Sequence, residues 1–471
     1  MNPNSIPASL IDYKDIPTTD DQVRLKLRSL GEPVTYFGEL NVNRRQRLIA
    51  HLGASDGTAD VDMEESDPSD EEDGEFYTPG PEELLDIRYD ILKYALVKAK
   101  SAQALKIHEL GVSALKHLQN RRLIGDKIAK FMLYGSQTLE STQRATSVVR
   151  FSRGNGARYI ASGSWDGSVC IVNTANLAVK KSFKAHEEKV GDVVWLGNQF
   201  FTSGNDNLVK LWAVNTDETV ATLTGHTSRV VRMDVHPSQR LLASASHDST
   251  WRLWDITRQK ELYLQEGHTK ALSNVKFNDT GSLLASAGQD ALPRIWDMRS
   301  GKNIMIMSGH IKPIHGLAWR PYQSHELATG GDDGMIKVWD LRYFRKGRGN
   351  VVMDGSKLAI PAHSKLISDL KYFERGDMYP ELKNRIPVDK TLDGESQKGD
   401  IELETSGTYL VSSGYDGDVN VYTADNYTKV KTLKGHLDNK VMSCDVSDNG
   451  QWIVSSAWDK SVKLWGGDNE V

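Results

Sequence analysis

One unit recurs along this chain from about residue 160 onward, and no other feature of the sequence restricts the fold so tightly. In each unit small residues lead to an aspartate, and an apolar strand ending in an aromatic follows. The aspartates are Asp166, Asp206, Asp248, Asp290, Asp333, Asp416 and Asp459, spaced 40, 42, 42, 43, 83 and 43 residues apart. Only one unit lies at the end of the doubled interval, so that interval holds an insertion and the count is seven. Six residues after each Asp stands Val172, Trp212, Trp254, Trp296, Trp339, Tyr422 or Trp465. Four residues before it stands Ser162, Thr202, Ser244, Ser286, Thr329, Ser412 or Ser455, always a hydroxyl. Upstream of six units a histidine follows Gly or Ala: His186, His226, His268, His310, His363 and His436. A sheet this small cannot bury its faces alone, so neighbouring units stack about an axis. The expectation is a mainly β chain, a seven-bladed β-propeller preceded by a helical, charged N-terminal arm.

Four residue types holding register through seven copies make this segment, roughly residues 130–471, resemble the WD40 repeat. Where a buried turn meets the next strand, polar groups need partners. The resemblance gives that task to chains such as His226, Ser244, Asp248, Trp254 and His268, Ser286, Asp290, Trp296. The same residue types suggest a hydrolase triad, but a catalytic site occurs once and this constellation about six times. The chain stops just after Trp465, leaving the last sheet short of an outer strand. FMLYGSQTL (Phe131 to Leu139) looks like the outer strand ELYLQEGH after Trp254, so it is expected to close the ring at about 131–139. Pro293 falls inside a strand and predicts a bulge or an unpaired position. Residues 342–358, with the basic run RYFRKGRGN, and residues 374–404 read as surface loop insertions.

The segment ahead of the repeats is uneven in charge, although the whole chain carries only −5. Residues 56–75 hold eleven Asp or Glu and no Lys or Arg; residues 92–130 hold nine Lys or Arg against Glu109 and Asp126. The expected organisation is a disordered tail over 1–15, a helical arm over 16–54, an acidic linker over 55–80, a long basic helical segment over 81–128, and the propeller over 129–471. In the arm, Thr18, Thr19, Asp20 and Asp21 start a helix whose stripe is Val23, Leu27 and Leu30, and Gly31 ends it. A second short helix begins near Asn43. In the basic segment Leu84, Ile87, Ile91, Ala95, Ala102 and Leu105 keep helical period after Pro81. Continued to Arg122, past a weak point at Gly111, one helix would reach about 60 Å. Lys93, Lys98, Lys100, Lys106, Lys116, Arg121, Arg122, Lys127 and Lys130 decorate it and are candidates for phosphate contact.

Within the arm, LGEP (Leu30 to Pro33), FGE (Phe37 to Glu39) and RRQRL (Arg44 to Leu48) resemble the splicing-factor motif of pre-mRNA-splicing proteins. Joined to an acidic linker, a long helix and a WD40 ring, they look like the WD40 branch of that family, found in the U4/U6 small nuclear ribonucleoprotein. The third repeat, ASHDSTWRLWD with ELYLQEGH, resembles it too. The resemblance implies a nuclear scaffold that supports assembly of the U4/U6.U5 particle. It implies pre-mRNA-processing factor three, U4/U6 snRNA and a spliceosomal cyclophilin as partners. It also makes Leu30, Gly31, Glu32, Pro33, Phe37, Gly38, Arg44, Arg45 and Arg47 the partner-binding candidates.

Other classes fit less well. A WD40 adaptor of another nuclear complex, such as a ubiquitin-ligase substrate receptor, would need a ligase-binding motif in the arm, and none is seen. GNGARY (Gly154 to Tyr159) lacks the third glycine of a kinase loop, and no HRD or DFG follows. With no phosphate loop, metal cluster or singular triad, the reading is non-enzymatic, with no cofactor and no small-molecule substrate. No run approaches the roughly 20 apolar residues of a membrane span. Two cysteines, Cys170 and Cys444, sit alone in apolar runs, which suits a reduced, intracellular protein. Finally, the residue before each structural Asp sits in a turn on the ring's top face. It is polar in Asn205, His247, Gln289 and Asp332 but aromatic in Trp165, Tyr415 and Trp458, from three units that closure makes neighbours. Those three are the expected aromatic partner site.

Overall fold

The computed structural model describes residues 20–30, 44–45, 47–48, 83–139, 142–153, 157–216, 218–343, 352–375, 406–436 and 439–467. It divides into two compact units, Met1–Glu71 and Glu72–Val471. The tail 1–15, the acidic linker 55–80, residues 344–351 of the first insertion and nearly all of the 374–404 insertion lie outside the described residues.

In the first unit, helix α1 spans Asp20–Ser29. Its stripe buries Val23 and Leu27 against Leu48, which is helical together with Arg44, Arg45 and Arg47. Leu30, expected to continue the stripe, is exposed instead. It sits past the last residue of α1, where its N–H still bonds the Lys26 and Leu27 carbonyls but its side chain has left the buried face.

The second unit is a seven-bladed propeller, as the repeat count predicts. Its blades are antiparallel sheets whose first strand lies innermost. The innermost strands are Thr146–Phe151, Val190–Leu196, Val230–Val235, Leu272–Phe277, Ile314–Trp319, Ile367–Tyr372 and Val441–Val446. Each neighbours the next, and the last neighbours the first, so the ring is closed. The strands stack hydrophobic clusters between successive blades, one of them uniting Leu241, Trp251 and Leu253 of blade 3 with Val275 and Trp296 of blade 4.

Closure rests on the strand Met132–Thr138, which pairs antiparallel with Ser461–Gly466 of the last blade. A bulge between Leu133 and Gly135 turns Tyr134 edge-on to Trp452, with ring centroids 4.7 Å apart. A Cβ at Gly135 would stand 2.4 Å from Leu177 Cδ1, so a larger residue there would push the end of that side chain aside.

Three further features differ from or refine the sequence reading. The basic segment is two helices, α2 over Glu83–Leu110 and α3 over Ala114–Ala129, broken at Gly111–Ser113. The single 60 Å rod is therefore replaced by two helices. Leu84, Ile87 and Ile91 of α2 pack on blades 3 and 4, while Ile128 of α3 packs with blades 6 and 7. Pro293 makes no bulge of its own: the strand after it shortens to Arg294–Asp297, and its carbonyl accepts from Met307 N–H. Part of the first insertion, Val352–Asp354, is a strand rather than loop and pairs parallel with Asn303–Ser308 as a fifth strand of blade 4. It satisfies an outer edge whose backbone groups would otherwise face solvent. Among the described residues no helix is long and apolar enough to cross a membrane.

Candidate functional site

The repeated polar chains are bonded throughout. In blade 3 the Nδ1–H of His226 donates to Asp248 (2.8 Å), the Ser244 hydroxyl donates to His226 Nε2 (2.7 Å), and Trp254 Nε1–H donates to Ser244 Oγ (2.9 Å). A carboxylate can only accept, so the ring must carry its proton on Nδ1, which leaves Nε2 to accept from serine. His268, Ser286, Asp290 and Trp296 repeat this at 2.7 Å throughout. The chains from His186, His310 and His436 do the same. The His363 chain ends on Tyr422, whose hydroxyl turns to the Ala362 carbonyl. Blade 1 has no histidine, and its Ser162 bonds the Cys170 carbonyl. Burial alone would raise the Asp459 carboxyl, but hydrogen bonds from His436 and Ser461 outweigh it and hold it at about 2. Burial pushes His268 below its ordinary range in spite of Asp290, so the imidazole is neutral. These groups spend their hydrogen-bonding capacity on one another.

A second polar assembly was not read from the sequence. At the third and fifth positions of the innermost strands, charges face the channel. Arg150 bonds Asp369 (2.9 Å) and lies 3.4 Å from Asp192, which also takes Arg232 at 3.2 Å. Lys276 bonds Asp234 at 2.5 Å. Several carboxylates also clamp the next blade: Asp445 accepts from Phe151 N–H and Asp234 from Phe277 N–H, both at 2.8 Å. Asp192 is fully buried, yet Arg150 and Arg232 keep its carboxyl below the ordinary range against the effect of burial. Burial, reinforced by Lys276 and Arg150, brings Lys371 down to about 7. Position within an already recognised innermost strand is the signal that would have found this set. Each member taken alone reads as an ordinary surface charge.

The turn residue before each structural Asp is fixed by one bond common to all seven blades. Its N–H donates to the carbonyl of the residue just ahead of the innermost strand, at 2.9–3.1 Å. Trp165, Tyr415 and Trp458 therefore stand at the channel's mouth. Trp165 and Trp458 meet edge to face with centroids 5.5 Å apart. Lys440 Nζ lies 4.1 Å from the centre of Trp458 and 5.2 Å from that of Tyr415, and Lys189 Nζ lies 4.4 Å from that of Trp165. Trp458 is 39% exposed; the other two rings are half-buried.

The helices carry a mixed surface. Lys98 is half-buried, while Lys93, Lys100, Lys106, Lys116, Arg121, Arg122, Lys127 and Lys130 are exposed. Lys93 leans on the Tyr89 ring and Arg121 pairs with Asp425 of blade 6 at 2.8 Å. Between these charges lie exposed Leu96, Val97, Ile107, Leu110, Leu115 and Leu118. In the arm Arg45 is exposed and Arg47 half-buried, but Arg44 is only 2% exposed and turned away from solvent. Gly31, Glu32, Pro33, Phe37 and Gly38 lie outside the described residues.

His325, Glu326 and Asp340 come close enough together to hold a cation. Arg320 and Lys357 already bind Glu326, and Arg342 binds Asp340, so side-chain cations fill that role. Cys170 and Cys444 are both buried thiols that form no disulfide among the described residues; burial, with the Asp369 carboxylate beside it, pushes Cys444 up to about 12.

Fold, closure strand and six repeated chains define a WD40-repeat propeller protein. The family described as WD domain, G-beta repeat matches residues 178–213, 217–255, 259–297, 301–340 and 427–466. The family described as pre-mRNA processing factor 4 (PRP4) like matches residues 23–50, inside the arm. The U4/U6 small nuclear ribonucleoprotein PRP4 of Saccharomyces cerevisiae is 32% identical over 469 residues, covering 96% of this chain and 90% of that protein. Human U4/U6 small nuclear ribonucleoprotein Prp4 is 31% identical over 38% of this chain and 35% of its own length. An uncharacterized WD repeat-containing protein of Schizosaccharomyces pombe is 35% identical over 49% of this chain, and the match spans about half of that relative, 52%. The chain belongs to the PRP4 family.

Proposed function

We propose that this chain is a non-catalytic scaffold of the U4/U6 small nuclear ribonucleoprotein, acting in the nucleus to support assembly of the U4/U6.U5 particle and pre-mRNA splicing. One observation carries the reading: the arm segment at residues 23–50 and the ring occur in one chain that aligns with a U4/U6 protein over 96% of its length. The described geometry is consistent with it. The triad-like chains recur six times with each histidine nitrogen filled, so none is left to activate a nucleophile. The arm's Arg45 and Arg47, with the neighbouring Gly31 to Gly38, serve as a docking element for pre-mRNA-processing factor three. A spliceosomal cyclophilin is a further partner, and U4/U6 snRNA is the nucleic acid that the particle brings within reach.

The experiment is affinity purification of the tagged full chain from nuclear extract, followed by probing for U4 and U6 RNA. Both are expected to be enriched together, with U5 joining at low salt. A purified complex holding neither U4 nor U6 overturns the reading.

A further inference from the structure

The channel's mouth has a pattern that no repeat requirement explains. At one of the two positions just ahead of the innermost strand, all seven blades carry Lys or Arg. In five the side chain is exposed: Arg144, Arg229, Lys270, Lys312 and Lys365. In the other two, Lys189 and Lys440, it lies half-buried over the aromatic rings already described. Random placement of the chain's 58 Lys and Arg over 471 residues would supply about two such blades. The acidic groups beside them are less exposed than the cations, apart from one pair. Among the described residues near these turns, Glu187 and Glu188 are exposed in one blade, and Asp332 is bonded to His315 at 2.9 Å. The structural aspartates stay ionised and match the cations in number, but six of them are only 3–21% exposed, with their oxygens taken by histidine and turn N–H groups, so the charge that reaches solvent there is mainly basic. The channel beneath is internally paired through Arg150, Arg232, Asp192 and Asp369, so it adds no compensating field.

The cations and the rings form one band. Lys189 over Trp165, Trp165 against Trp458, and Lys440 over Trp458 and Tyr415 link blades 2, 1, 7 and 6 without a gap. Cationic neighbours crowd there too: burial, then Arg229 and Arg232, lowers Lys189 to about 8, and burial, then Arg229, holds His247 at about 4. An anion arriving at the mouth relieves that repulsion. Among the described residues the Trp165 indole N–H finds no acceptor. Its ring is therefore held by packing rather than by a bond that would have to break for it to move.

We infer that this mouth docks single-stranded RNA, with phosphates on the basic ring and a base laid against the Trp458–Trp165 pair. An acidic peptide would use the cations but leave the aromatic faces idle. A duplex keeps its bases stacked inside and would leave them idle as well. A single strand offers phosphate and unstacked base together. The inference rests on the ribonucleoprotein reading above and places its RNA contact on the ring instead of on α2 and α3.

The purified full chain is titrated against a fluorescein-labelled uridine oligomer of about a dozen nucleotides, followed by anisotropy at several salt concentrations. Arg229→Glu with Lys365→Glu, two exposed changes, is expected to weaken binding at least about tenfold and to flatten its salt dependence. Trp458→Ala is expected to cost about tenfold and Trp458→Phe to restore most of it, because Phe keeps a stacking face. Lys116→Glu with Arg122→Glu on α3 is expected to change little. Absence of binding by the parent overturns the inference, as does loss confined to the α3 pair. Tight binding of poly-glutamate that Trp458→Ala leaves untouched also overturns it and assigns the mouth to an acidic protein. If the tagged chain still recovers U4 and U6 from extract while the oligomer fails to bind, this inference alone falls. If it recovers neither RNA, the scaffold reading falls with it.

Discussion

Blade 3 shares an apolar cluster of sixteen residues with its neighbour and with α2, whereas among the described residues α1 and the short helical turn beside it enclose Val23, Leu27 and Leu48. Three buried aliphatics supply at most about 5–9 kcal/mol. Fixing the ten residues of α1 costs about 1–2 kcal/mol each before its own hydrogen bonds are counted. A blade is stabilised by the blade beside it, and repetition makes that support self-sufficient. The arm has no second copy of itself to lean on, so we expect it to draw stability from the surface it docks against. Residues that repeat seven times report on the fold, and residues that occur once report on the partner.

Removing residues 1–80 tests that division most severely. The ring's melting temperature is expected to stay within a few degrees, while co-purification with U4 and U6 RNA is lost completely. Recovery of the particle by the truncated chain would show that the ring alone specifies the partner. Within the ring, Asp369→Ala leaves Arg150 and Arg232 buried beside a missing carboxylate and is expected to cost about 3–5 kcal/mol in chemical denaturation. An effect below about 1 kcal/mol would mean that solvent in the channel screens the network.

The same contrast can be drawn inside the ring. Ser244→Ala removes the group that both accepts from Trp254 and donates to His226, at an expected cost of about 1–3 kcal/mol. In blade 1, which has no histidine, Ser162→Ala breaks one 3.3 Å bond and should cost less than about 1 kcal/mol. Equal midpoints for the two variants would show that the polar chains do not act as units.

Another effect is in pH. Burial holds His236 at about 4, and it holds His247 there together with Arg229, against an ordinary value of 6.5. Below 6.5 the unfolded chain takes up protons that the folded imidazoles refuse. Stability is therefore complete above pH 6.5 and declines as pH falls toward 4. Thermal midpoints across that window should show the decline. His236→Gln should make it shallower, by at most about 1.4 kcal/mol per pH unit. An unchanged slope would place the acid sensitivity elsewhere.

Blade number, the tetrad residues, the closing segment and the family of the arm were legible because each rests on spacing or on a contiguous string. The break of the basic segment at Gly111 was legible only as a weak point. A lone glycine costs a helix about 1 kcal/mol, and whether it breaks depends on what each half packs against. The fifth strand at Val352–Asp354 was hidden, since three residues after a basic run carry no period. The three aromatics could be placed on neighbouring blades from the count alone, but the lysines over their rings could not. Leu30 and Arg44 show the opposite error: both fit a local pattern, yet one is exposed and the other buried.

By itself the sequence determined that seven copies of one sheet must close into a ring, because each copy exposes faces that only another copy can cover. It also determined, through residues 23–50, which family that ring serves. Only the tertiary structure decided that Arg150, Asp192, Arg232 and Asp369 neutralise one another in the channel. It likewise decided that basic residues tens of positions apart meet as one belt at the mouth. Charge acts through distance in space, and a chain that returns to the same axis seven times brings together groups whose separation along the sequence says nothing about their separation in the fold.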